Sequence, residues 1–118
     1  MKDELSAMLP LSAAALHILL ALAGEDRHGY GIIKEVARQA EGHYRLGSGT
    51  LYDNLQKLMD RGLVRETTAR SGKGDAPRRY YRLTEFGRRV LEADLQRLKT
   101  VLREARLHLR TAESGKAS

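Results

Sequence analysis

Leu91, Leu95, Leu98, Leu102, Ala105 and Leu109 follow one another at steps of 4, 3, 4, 3 and 4 residues, an unbroken heptad seam of nearly three repeats. Thr84 reads as the cap of the helix that carries them, expected to run from Glu85 to about Arg110. At ~1.5 Å per residue that helix is about 39 Å long. A domain built from a chain of 118 residues does not cover such a length. A bare leucine face of this size aggregates, so a partner helix must lie on it. Phe86, Val90 and Val101 widen the stripe on the side expected to face the rest of the chain. Leu91, Leu95, Leu98, Leu102 and Leu109 are therefore expected to form a dimer interface. The alternative is that the seam packs wholly on the chain's own first helix. The polar end, TAESGKAS, reads as a frayed tail.

A second segment, GSGTLYDNLQKLMDRGLV at residues 47–64, is a short helix of the opposite kind. Ser48 and Thr50 are placed to cap it by accepting its first free amides. Leu51, Leu55 and Leu58 recur at helical spacing, with Met59 widening the stripe. Thr50, Asp53, Gln56, Lys57 and Asp60 fall on the other side, and Gly62 stops the helix. One apolar face and one hydrogen-bonding face are what a reader of the DNA major groove needs.

Directly after it comes a basic hairpin. LVRETT and RYYRL read as strands at residues 63–68 and 79–83, and ARSGKGDAP between them supplies turn chemistry. From Arg61 to Arg82 there are seven Lys/Arg against two acids, which places +5 of the chain's +6 in this one element. Residues 1–42 carry −2, residues 43–60 are neutral and residues 83–118 carry +3. An acidic-to-neutral body with a basic protrusion points to directed docking on an anion. Arg70, Lys73, Arg78 and Arg79, near the tip, are placed to meet phosphate. A solubilising charged loop is the plainer alternative.

Several function classes drop out. With no cysteine there is neither a disulfide nor a thiolate metal site. His17, His28, His43 and His108 are scattered without ligand spacing, so no metal and no cofactor is expected. His17 reads as a helix-face residue and His28 as a turn residue. The GKG at residues 72–74 is turn, not a phosphate loop, and nothing marks an enzyme. The start of the chain lacks a signal-peptide layout. The longest apolar run, around residues 13–23, is far short of the ~20 residues of a membrane span. A soluble, cytoplasmic protein without membrane contact is the expectation.

Two more helices precede the reader. Ser12 caps one that ends near Ala23 at Gly24, with Leu16, Leu19, Leu20 and Ala23 expected to face inward. EDRHG is a turn, and a second helix follows from Tyr30 to Ala40 on Ile32, Ile33, Val36, Ala37 and Ala40. Leu46 is expected to tuck inward from the connector. The reading is mainly α with a small β-hairpin: a winged helix-turn-helix over residues 1–83, a dimerisation helix over 84–110 and a flexible tail over 111–118.

In that order the chain resembles a PadR-family transcriptional regulator. LSAAALHILLAL, HGYGIIKEV, GSGTLYDNLQKLMDRGLV and RRYYRLTEFGRRVL carry the resemblance across most of residues 9–95. The single C-terminal helix resembles the family's short subfamily. The resemblance implies a homodimer on double-stranded operator DNA near its own promoter, usually as a repressor. It implies backbone contacts from Tyr52, Tyr30, Ser48 and Thr50, and it matches Arg78 and Arg79 to the basic pair entering the second wing strand. Tyr30 and Tyr52 could instead cover the core edge with their rings.

Positions 53 and 56 are often basic in relatives and are Asp53 and Gln56 here, which shifts the electrostatics onto the wing. Gln56 can pair with an adenine edge and Asp53 can accept from a cytosine amino group. Asp53 can equally be a solvated residue that lowers affinity. An effector, if it binds between the first and last helices, is expected to be small and apolar or phenolic, because the chain has no Trp and a single Phe for stacking. The competing reading is a protein-interaction module that keeps the scaffold without specific DNA binding.

Overall fold

The computed structural model describes residues 2–69 and 78–117. Its elements are α1 (Lys2–Ala7), α2 (Ala13–Leu22), β1 (Arg27–His28), α3 (Gly29–Gln39), α4 (Ser48–Asp60), β2 (Val64–Ala69), β3 (Arg78–Leu83) and α5 (Glu85–Ala117). The strands form one antiparallel sheet in the order β1-β3-β2. Val64 lies opposite Leu83 and Ala69 opposite Arg78, while β1 places Arg27 against Tyr81 and His28 against Tyr80. This is a winged helix-turn-helix followed by a long helix.

The core is a single cluster. Ile18, Leu19 and Leu22 of α2, Ile32 and Val36 of α3, and Leu51, Leu55 and Leu58 of α4 meet Leu63, Val64, Tyr81 and Leu83 from the sheet and Val90 and Leu91 from α5. Leu46 joins it from the connector. Helix ends follow side-chain chemistry. The Ser12 hydroxyl accepts from Ala15 N at 3.1 Å and the Thr84 hydroxyl from Gly87 N at 2.9 Å. Gly62, at φ +78°, ends α4, and the Leu63 amide reaches back to the Leu58 carbonyl at 2.9 Å. That closure needs a left-handed residue, which glycine supplies without strain.

Several expectations are corrected. Of the expected inner face of α2, Leu19 is buried and Leu16 and Ala23 are half-buried against the core, but Leu20 is 38% exposed, and Ala15, Ile18, Ala21 and Leu22 complete the buried side. This helix is apolar nearly all round, so periodicity alone cannot choose its inner side. Neither Ser48 nor Thr50 caps α4. Gly47 holds the cap position without a side-chain hydrogen bond, and Ser48 is already helical. The segment EDRHG is more than a turn, because its last part pairs with β3. His28 caps α3 by accepting from Gly31 N at 3.1 Å on Nδ1. Helix α1 precedes the expected elements, and Leu5, Met8 and Leu9 at this end rest on the core.

Helix α5 does not stop at Arg110 but continues to Ala117, a length of about 50 Å for its 33 residues. Thr111, Ala112 and Glu113 carry no breaker, and the Thr111 hydroxyl bonds back to the Leu107 carbonyl at 2.9 Å. The chain is correspondingly elongated, 71 × 35 × 23 Å. Val90 is buried and Phe86 half-buried, as expected on the domain side, but Val101 is exposed. Beyond Leu98 the helix has left the core.

Candidate nucleic-acid interface

The outward side of α4 is free. Ser48, Thr50, Tyr52, Asp53, Gln56 and Lys57 are all exposed, while Leu51, Leu55 and Leu58 on the same helix are at most 3% exposed. Gln56 donates its amide to Asp60 Oδ1 at 2.9 Å, and Asn54 donates to the Thr50 carbonyl at 2.8 Å. Both bonds lie along the helix and are open to exchange for bonds to a ligand.

Tyr52 holds a defined place. A Cβ built on Gly29 would stand 2.3 Å from its phenol oxygen, so the ring lies directly over the first residue of α3. Tyr52 is half exposed there and Tyr30, the next residue of α3, is 65% exposed. Both tyrosines thus stand at the amino end of α3, where helix amides and dipole favour an anion. The Lys34 ammonium stands 5.5 Å from the Tyr30 ring centre. Lys34 was not among the expected residues. Its position four residues after Tyr30 was the available signal, since that spacing puts both on one helical face.

The wing is anchored to the same corner. The Tyr80 ring meets the His28 ring edge-on at 5.6 Å. Arg82 grips Asp26 through contacts of 2.6–3.0 Å and holds that carboxyl below the usual carboxylate range; Arg65 contributes to the lowering. Burial pushes the Tyr81 phenol up, and Glu66 adds to the shift. Thr84 donates to the Gly62 carbonyl at 2.6 Å, locking the wing's return to the end of α4. Arg78 and Arg79 are exposed on β3, with Arg79 paired to Glu66 at 3.0 Å. Arg70 and Lys73 lie outside the described residues. The fold therefore brings Tyr30, Tyr52 and the base of the wing together and leaves Asp53, Gln56 and Lys57 facing solvent.

No group of three His, Asp or Glu placed to hold a metal occurs among the described residues. His17 stacks on Tyr44 with ring centres 4.7 Å apart. No helix of the described residues is long and apolar enough to cross a membrane. The expected seam residues split: Leu91 is buried and Leu98 half-buried, whereas Leu95, Leu102 and Leu109 are 41%, 51% and 66% exposed.

The model of the transcriptional regulator PadR-like family matches residues 18–93. The chain is 30% identical over 86 residues to the transcriptional regulator YqjI of Escherichia coli K12, covering 73% of this chain and 39% of that protein. It thus spans about two-fifths of the length of the curated relatives it matches. Among solved structures, a PadR family transcription regulator from Clostridium difficile R20291 superposes with a TM-score of 0.71 at 23% identity, over 83% of this chain and 99% of that one. Bacillus subtilis PadR in complex with operator DNA superposes with a TM-score of 0.62 at 24% identity, over 73% and 48% of the two chains. With that architecture and the family model spanning the core and the root of the long helix, the chain belongs to the PadR-like family of transcriptional regulators.

Proposed function

We propose that this chain is a sequence-specific, homodimeric repressor that lays α4 in the major groove of an inverted-repeat operator and its basic wing along the adjacent backbone. The observation that carries the proposal is the free, polar face of α4 set beside the most basic element of the chain. In this reading Gln56 and Asp53 meet base edges. Tyr30, Tyr52, Ser48, Thr50, Lys57, Arg70, Lys73, Arg78 and Arg79 hold backbone phosphates, and Lys34 joins them. The operator complex of Bacillus subtilis PadR supports DNA as the partner.

A second copy is the natural cover for Leu95, Val101, Leu102, Leu107 and Leu109, which remain exposed on α5 together with Leu20 of α2. Two-fold symmetry then sets the reader helices about one DNA turn, ~34 Å, or a multiple apart. Release by a small molecule completes the regulatory cycle.

The test is a titration of labelled duplex from upstream of the protein's own gene, beside a scrambled duplex, at two salt concentrations. With about eight phosphates neutralised per dimer, the log–log salt slope is expected near −7. Arg78→Ala with Arg79→Ala lowers that slope, whereas Gln56→Ala relaxes one operator position and leaves the slope alone. Equal, weak binding to both duplexes at either salt concentration overturns the reading in favour of a protein-interaction module. Gly29→Ala provides an internal probe, because its methyl group must push the Tyr52 phenol aside. A loss of about tenfold in DNA affinity is expected, equivalent to one phosphate contact of ~1.4 kcal/mol.

A further inference from the structure

A cleft of about 280 Å³ opens between the α1–α2 corner and the flank of α4. Met8, Pro10 and Leu11 form its accessible apolar side, Leu58 and Leu63 lie almost wholly buried beneath it, and Lys57, Arg61 and Asn54 stand in its wall. Neither cation belongs to an ion pair among the described residues. The neighbouring acid, Asp60, accepts the Gln56 amide instead. Ser12 and Ala15 also line the cleft, so the amino end of the ten-residue α2 lies at the same opening. Its dipole adds to the positive potential of the two side chains.

Two cations without an ion pair among the described residues, beside a small apolar side, suit a ligand with the opposite layout: one anionic head and one short apolar body. A guanidinium beside an ammonium suits a carboxylate, which the guanidinium can hold by two parallel hydrogen bonds. The accessible apolar side chains are those of Met8, Pro10 and Leu11, and among the described residues no aromatic side chain lines the cleft. They suit a flexible alkyl chain and provide no face on which a flat ring could stack. The volume lies at the small end of ligand pockets, too small for a large effector.

We propose that this cleft binds a medium-chain aliphatic carboxylate, with its head between Lys57 and Arg61 and its chain on Met8, Pro10 and Leu11. This site is separate from the leucine seam of α5. One wall is the reader helix, and Leu63 leads into the wing, so an occupant neutralises two cations on the element that faces DNA. That consequence rests on the DNA-binding reading, whereas occupancy itself is measured on the protein alone.

The experiment is calorimetric titration of the full chain with octanoate, octan-1-ol and acetate, on wild type and on Lys57→Ala/Arg61→Ala. Octanoate is expected to bind at least tenfold more tightly than either the uncharged alcohol or the tailless acid. The double variant should lose at least tenfold in octanoate affinity with less than twofold change for the alcohol. Both substituted residues are exposed, and an unchanged thermal midpoint shows that the variant is folded. Octanoate and octan-1-ol binding alike, or octanoate binding equally to both proteins, overturns the proposal, because the chain then sits on apolar surface elsewhere. Absence of octanoate binding overturns it too. Loss of DNA affinity in the double variant without any carboxylate binding assigns the two cations to the nucleic-acid backbone instead. Once binding is established, weaker DNA affinity in saturating octanoate tests the consequence for regulation.

Discussion

Helices α4 and α5 carry leucines at the same kind of spacing and treat them in opposite ways. Leu51, Leu55 and Leu58 of α4 are 0%, 1% and 3% exposed, whereas Leu95, Leu102 and Leu109 of α5 are 41%, 51% and 66% exposed. The difference arises from reach. Helix α4 spans 13 residues and lies across α2 and α3, but α5 spans 33 and only its root touches the core. An apolar stripe therefore calls for a covering surface, and the reach of the helix decides how much of it the same chain supplies.

The sharpest way to break that comparison is at the root of α5. A Cβ on Gly87 would stand 2.1 Å from the Leu63 carbonyl oxygen, a backbone atom that cannot swing away. Gly87→Ala should cost about 4 kcal/mol or more, near the top of single-substitution effects, and should appear as a large fall in thermal midpoint. The contrast with Gly29 is instructive, since there the obstacle is the tip of a half-exposed tyrosine.

Leu55→Ala and Leu102→Ala compare the two stripes directly. The first empties a filled core site and should destabilise by about 3 kcal/mol. The second should leave unfolding of the isolated chain within ~0.5 kcal/mol, as for an exposed position. Its effect should appear in sedimentation as weaker self-association. Equal destabilisation by both, independent of protein concentration, would show that the seam is covered within one chain.

Smaller effects test the support the two helices share. Helix α2 packs against both, and Ser12→Ala removes its cap at a cost of about 1 kcal/mol in chemical unfolding. Asp26, bound to Arg82, ties the wing to the body. Its carboxyl is lowered on folding from an ordinary value of 3.8, so its contribution is present above that pH and is lost as pH falls below it. The pair is partly exposed, at 44% and 34%, and solvent screening keeps its worth below about 1 kcal/mol. Asp26→Asn should lower stability slightly at neutral pH, and the difference should vanish in acid-unfolding curves well below pH 3.8.

Much of the fold was legible because its signals are local. Ser12, Thr84 and Gly62 mark helix ends by chemistry acting within a few residues, and all three act as expected. The charge concentrated from Arg61 to Arg82 and the two-faced pattern of α4 were likewise written in the order of residues. Ser48 and Thr50 misled because a hydroxyl near a helix start is a cap only in one backbone position, and Gly47 occupies it.

By itself, then, the sequence determined the helices from α2 to α5 and the two long wing strands, the buried side of α4, the basic wing and the leucine seam of α5. Periodicity, capping and charge are properties of neighbours along the chain, so no tertiary contact is required to read them. Only the tertiary structure decided which side of the uniformly apolar α2 faces inward and that two residues, Arg27 and His28, become a third strand. It alone set Tyr52 over Gly29 and buried Asp94 completely, with Arg97 bonding one carboxylate oxygen and no partner for the other among the described residues. It also gathered Lys57, Arg61, Met8 and Leu11 around one cleft. Each of these joins residues from separate elements, and the packing that joins them leaves no periodic trace in the chain.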